Sequence, residues 1–101
     1  MRLIFSLVFE TDFASGVEYL AREANEEIAT RWEKSIYRTI ELLQKNPQLG
    51  RVRRDLRPGD VRTFGVKDFP RFLMFYTARE NELVLLRVKH GAMNLHALFP
   101  T

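Results

Sequence analysis

The chain has 101 residues, of which 46% are hydrophobic and 29% charged, and its net charge is +3. That balance fits one folded domain over residues 1–101 and excludes a disordered chain. The absence of cysteine excludes disulfides and thiolate metal sites and fits a reducing cytoplasm.

Met1 to Phe9 is apolar enough to pass for a very short signal core. Glu10, Thr11 and Asp12 follow at once with no small-residue cleavage pattern, so Leu3–Phe9 reads as a buried strand. No apolar run approaches the ~20 residues of a membrane span. Asp12 is placed to cap a following helix, its carboxylate accepting from orphan backbone N–H groups. Phe13, Val17, Leu20 and Ala24 then recur at helical spacing, and the pattern changes phase near Asn25. Ile28, Trp32, Ile36, Ile40 and Leu43 form a second helical stripe, which Asn46-Pro47 ends because the residue before proline avoids the helical region. The simplest reading is an antiparallel helical hairpin whose stripes are core.

Pro47, Gly50, Pro58 and Gly59 mark residues 47–60 as a loop. Val61–Val66 alternates as a strand does, and Phe72–Tyr76 is continuously apolar and aromatic. Glu80-Asn81-Glu82 makes a turn, and Leu83–Val88 is the last strand. The fold class is therefore α+β: an N-terminal strand, a two-helix hairpin, then a three-stranded antiparallel meander. The hairpin should lie on one sheet face, with Val17, Leu20, Trp32, Ile36 and Ile40 against Phe72, Met74, Leu83 and Leu85.

Charge divides the chain. Residues 1–50 hold 6 Lys/Arg and 8 Asp/Glu, whereas residues 51–101 hold 10 and 5. The basic half suits an acidic partner, either nucleic acid or an acidic protein segment, or else forms a solvated surface. Arg51, Arg53, Arg54 and Arg57 crowd one loop and suit bidentate contacts to phosphates or carboxylates, unless Asp55 and Asp60 pair with some of them. Arg62 follows on the next strand. Arg87, between Leu86 and Val88, either approaches this loop or braces the fold through a buried pair with an acid. His90 is the general-base candidate by type, or it shapes a strand end. His90 and His96 lie at no known metal-ligand spacing, so no metal site and no cofactor are expected.

Several stretches resemble the ParE/RelE superfamily of bacterial toxins. They are Asn46-Pro47-Gln48-Leu49-Gly50-Arg51, Asp55-Leu56-Arg57-Pro58-Gly59 with Arg62-Thr63-Phe64, Phe69-Pro70-Arg71-Phe72-Leu73-Met74-Phe75-Tyr76, and Arg87-Val88-Lys89-His90-Gly91-Ala92. In this order they are most similar to the ParE-like branch. The resemblance implies a cytoplasmic toxin, not membrane-bound, held inactive by a cognate antitoxin in a hetero-oligomer. ParE-like members are associated with DNA gyrase and need no catalytic site of their own. Target contacts would then come from Arg51, Arg53, Arg54, Arg57, Arg62 and Arg87. RelE-like members instead cleave messenger RNA on the ribosome, for which Arg71 would stabilise the scissile phosphate and His90 would act as base. The fold cannot choose between these activities. Met93 and Asn94 stand where the family often has an arginine and an acid, and the tail lacks the arginine and tyrosine of the nucleases. Those departures weaken the nuclease reading and leave open an antitoxin-binding domain without toxicity.

Overall fold

The computed structural model describes residues 1–56 and 59–91. Strand β1 (Arg2–Phe5) leads into helix α1 (Leu7–Glu23) and helix α2 (Glu26–Lys45). A short strand β2 (Arg51–Val52) precedes β3 (Arg62–Val66), β4 (Phe69–Arg79) and β5 (Glu82–His90). The strands form one five-stranded sheet in the order β1-β5-β4-β3-β2. The β3-β4-β5 meander is antiparallel, whereas β1 joins the outer side of β5 in parallel. The α+β architecture is thus as expected, with β2 added inside the stretch expected to be loop.

The first helix starts earlier than the sequence suggests. Ser6, not Asp12, is its N-cap: the Ser6 hydroxyl accepts from Phe9 N–H at 2.9 Å. The strand expected over Leu3–Phe9 stops at Phe5, because the Ser6 amide donates to Leu85 O and its hydroxyl donates to Leu86 O. Both groups of Ser6 end the β1 ladder while opening the helix. The apolar run misleads because Leu7 is 78% exposed and belongs to the first helical turn. At the hairpin bend Asn25 caps α2, its side chain accepting from Ile28 N–H at 2.8 Å, which accounts for the change of phase there.

The main core lies between the hairpin and one sheet face. Trp32, Ile36, Ile40 and Leu43 of α2 meet Met74, Tyr76, Leu83, Leu85 and Val88, with Phe13, Val17, Leu20 and Phe72 packed around them. Trp32 is fully buried, stacked on Phe13 at 5.7 Å and edge-on to Phe72 at 5.3 Å. A smaller cluster on the opposite face joins Leu56, Val61 and Phe75, with Leu73 and Leu86 beside it. That second cluster anchors the basic loop to the sheet.

Candidate functional site

The loop after α2 is held by the sheet. Its first turn closes through Leu49 N–H to Asn46 O at 3.0 Å. Tyr76, near the end of the central strand, is completely buried. Its hydroxyl accepts from Gly50 N–H and donates to Pro47 O, each at 2.8 Å. Burial pushes the Tyr76 phenol up from its ordinary value, against a lesser opposing effect of the Gly50 amide. A Cβ on Gly50 would lie 2.5 Å from the Tyr76 oxygen, so the loop approaches this closely because residue 50 has no side chain. Arg62 faces the same backbone. Its Nη1 donates to Gln48 O at 3.2 Å and to Gly50 O at 2.8 Å.

From there β2 pairs with β3, Arg51 opposite Thr63 and Val52 opposite Arg62, and Arg53 N–H extends the pairing to Val61 O at 2.7 Å. Leu56 then folds onto Val61 and Phe75. The arginines of this region divide into two groups. Arg53 is held in bidentate fashion by Asp55 at 2.9 and 2.6 Å, and that hydrogen-bonded carboxylate raises the arginine's pKa. Arg62 braces the loop backbone. Arg51 and Arg54, by contrast, are exposed and form no ion pair among the described residues. Arg57 lies outside the described residues. Among the described residues, Asp60 pairs with Arg79 at 2.9 Å, and the Arg79 guanidinium holds its carboxyl below the usual carboxylate range.

Arg87 pairs with an acid of the first helix. Its guanidinium donates to Asp12 of α1 at 2.7 and 3.0 Å, and Val88 N–H donates to the same carboxylate at 3.2 Å. Lys89 Nζ is 3.4 Å from it. Of the two readings open for Arg87, the buried pair with an acid matches this geometry.

Arg71 and His90 come from neighbouring strands, β4 and β5. His90 lies opposite Phe72, against which it packs edge-on at 5.4 Å, and Phe72 is on the helix face. Side chains alternate along a strand, so Arg71 belongs to the other face, with Leu73 and Phe75. Both residues nonetheless line one hollow of about 260 Å³, together with Phe69, Pro70 and Phe72. Arg71 is exposed and lies two positions before Leu73, so it shares the face that carries the Leu56 loop. Among the described residues, no group of three or more His, Cys, Asp or Glu is placed to hold a metal ion. Met93, Asn94 and His96 lie outside the described residues.

Sequence reasoning missed Asp12 as an ion-pair partner and Tyr76 and Gly50 as a contact. A tyrosine in an apolar strand was a usable signal, since a buried phenol needs hydrogen-bond partners. Nothing local marked Asp12, whose partner is 75 positions away.

On the hairpin's surface a second feature stands out. A groove of about 350 Å³ runs between α1 and α2, lined by Phe5, Phe9, Phe13, Ile36, Tyr37 and Ile40, with Glu10 at its side. Phe5 and Tyr37 are 39% and 56% exposed. No helix among the described residues is long and apolar enough to cross a membrane.

Known proteins agree with this architecture. The chain is 47% identical over 51 residues to Toxin ParE3 of Caulobacter vibrioides, an alignment covering 50% of this chain and 47% of that protein. It therefore spans about half the length of this curated relative. The structure superposes on a chain of the chromosomal ParDE TA system from P. aeruginosa with a TM-score of 0.74 and 20% identity, covering 89% of this chain and 95% of the other. At that identity the likeness shows the fold. A family model described as the ParE toxin of the type II toxin-antitoxin system, parDE, matches residues 3–95, and the chain belongs to that family.

Proposed function

We infer that the chain is the toxin of a type II toxin–antitoxin pair, that it acts by binding DNA gyrase, and that a cognate antitoxin neutralises it. The observation that carries the target reading is the braced loop displaying Arg51 and Arg54. Tyr76 and Arg62 hold its backbone, Arg53 is neutralised by Asp55, and the two exposed guanidinium groups remain available to an acidic partner. Arg71 on the same sheet face extends the positive surface.

The antitoxin is assigned to the groove between α1 and α2. An amphipathic segment laid there would bury Phe5 and Tyr37 through anchors at helical spacing.

Induction of the chain in cells tests the target. Gyrase-linked DNA breaks and a DNA-damage response are expected, with messages intact. An early stop in translation with cut messages would overturn the gyrase reading, and unchanged growth would overturn the toxin reading altogether.

A further inference from the structure

We propose that Tyr76 is a positioning residue for the target face: with Gly50 and Arg62 it fixes the loop 46–51 so that Leu49 acts as a rigid apolar anchor beside Arg51. The proposal rests on the reading of the exposed arginines as the target face, and it adds an apolar contact and the device that holds it.

The loop has little freedom left. Asn46 O, Pro47 O, Gln48 O and Gly50 O all accept hydrogen bonds, and the amides of Leu49 and Gly50 both donate. Four of these bonds are made by the Tyr76 and Arg62 side chains, two each, reaching out of β4 and β3. A phenylalanine would fill the same place in the core, so the hydroxyl is there for the loop. Burying a phenol that donates and accepts is tolerated only because both bonds are made.

What this bracing displays is exposed. Leu49 is 47% exposed and belongs to neither core cluster, and Gln48 and Arg51 beside it are also exposed. A hollow at the base of the loop, lined by Lys45, Asn46, Pro47, Gln48 and Leu49, lets a partner surface close around the leucine. An apolar side chain on a fixed loop loses little freedom on binding, which is how preorganisation raises affinity. Flanked by Arg51 and Lys45, Leu49 suits an apolar socket rimmed by carboxylates on the target protein. A rigid linker between α2 and β2 would need neither the exposed leucine nor its basic neighbours.

The experiment compares Leu49→Ala, Tyr76→Phe and the double variant Arg51→Ala/Arg54→Ala, at matched expression, for growth arrest on induction. Antitoxin affinity, melting temperature and amide exchange at Gly50 are measured on each purified chain. Leu49→Ala is expected to need about tenfold more protein for the same arrest, as loss of an interface anchor does. Its melting temperature and antitoxin affinity should be unchanged. Tyr76→Phe should weaken arrest, keep antitoxin affinity and accelerate exchange at Gly50. If the arginine pair abolishes arrest while Leu49→Ala and Tyr76→Phe arrest growth as the parent does, the anchor is refuted and the arginine face stands. If Leu49→Ala instead weakens antitoxin binding alone, the loop belongs to the antitoxin and the proposal is refuted. If the arginine pair too arrests growth fully, the target face is elsewhere, and both readings fall together.

Discussion

Asp12 closes the open edge of β5 by holding Arg87, whose Nε and Nη2 donate to the two carboxylate oxygens at 2.7 and 3.0 Å. Strand β1 covers β5 from Glu82 to Leu85 and then turns into α1, leaving the rest of that edge without a strand partner among the described residues. The carboxylate takes the strand's place by accepting Val88 N–H at 3.2 Å. Its side chain is 3% exposed. Removing one member of a buried charged pair strands the other, at a cost of about 3–5 kcal/mol. Asp12→Ala should therefore lower unfolding free energy by roughly that amount in urea titrations. Asp12→Asn, which retains an acceptor for Val88, should lose less. An alanine variant as stable as the parent would show that the pair does not hold α1 to the sheet.

Trp32 offers a sharper test of the core. It is fully buried, in contact with Phe13 of the hairpin and Phe72 of the sheet, and its Nε1–H has no hydrogen-bond partner among the described residues. Trp32→Ala should cost about 3–5 kcal/mol. Trp32→Phe should cost much less, since it removes an unsatisfied donor along with part of the ring. Equal losses for the two would mean that the indole N–H is satisfied in solution.

The Tyr76 phenol gives the fold a pH dependence at the alkaline end. Its folded pKa is raised above the ordinary value of about 10. The unfolded chain therefore releases this proton first, so the contribution of this group is constant below about pH 9 and falls as pH rises through and above 10. Denaturation followed between pH 8 and 11 should show that fall. A tyrosinate absorbance step lagging above the usual phenol range should accompany it, one step among three tyrosines. Both signals should vanish in Tyr76→Phe.

The helical hairpin was legible because α2 carries one wide apolar stripe, and a buried stripe of that period has no other solution. The meander was legible from its apolar strands and turn residues. The start of α1 was not, because Leu7, Val8 and Phe9 extend an apolar run that local pattern cannot divide between strand and helix. Strand β2 has only Arg51 and Val52, too short to show a period. The candidate site was half legible. The arginines are visible in the sequence, but their partners are not. Asp55 takes Arg53 from two positions away, Asp60 goes to Arg79, and Arg87 is claimed by Asp12 across the whole chain.

That division decides which arginines to change. Arg53 and Arg62 are structural in part, so alanine there should lower the melting temperature as well as activity. Arg51→Ala/Arg54→Ala removes exposed charge alone, and surface changes of this kind alter stability by less than about 0.5 kcal/mol. Growth arrest should be lost with the melting temperature nearly unchanged. A fully active double variant would remove the loop from the target contact.

The antitoxin assignment makes a separate prediction, because the groove between α1 and α2 lies on the hairpin and not on the arginine loop. Phe5 and Tyr37 leave apolar area exposed beside it, and an apolar patch of that kind marks an interaction site or an aggregation hazard. Expressed alone, the chain should arrest growth or be poorly soluble. Expressed with the product of the adjacent small gene, it should purify as a complex with a higher melting temperature, since a partner that binds only the folded state stabilises it. Tyr37→Asp should weaken that complex by placing a charge in the groove, and should leave arrest by the chain alone intact if the target contact lies on the arginine loop as proposed. Loss of arrest with antitoxin binding retained would reverse the two surfaces. A neighbour that neither co-purifies nor raises the melting temperature would refute the pairing.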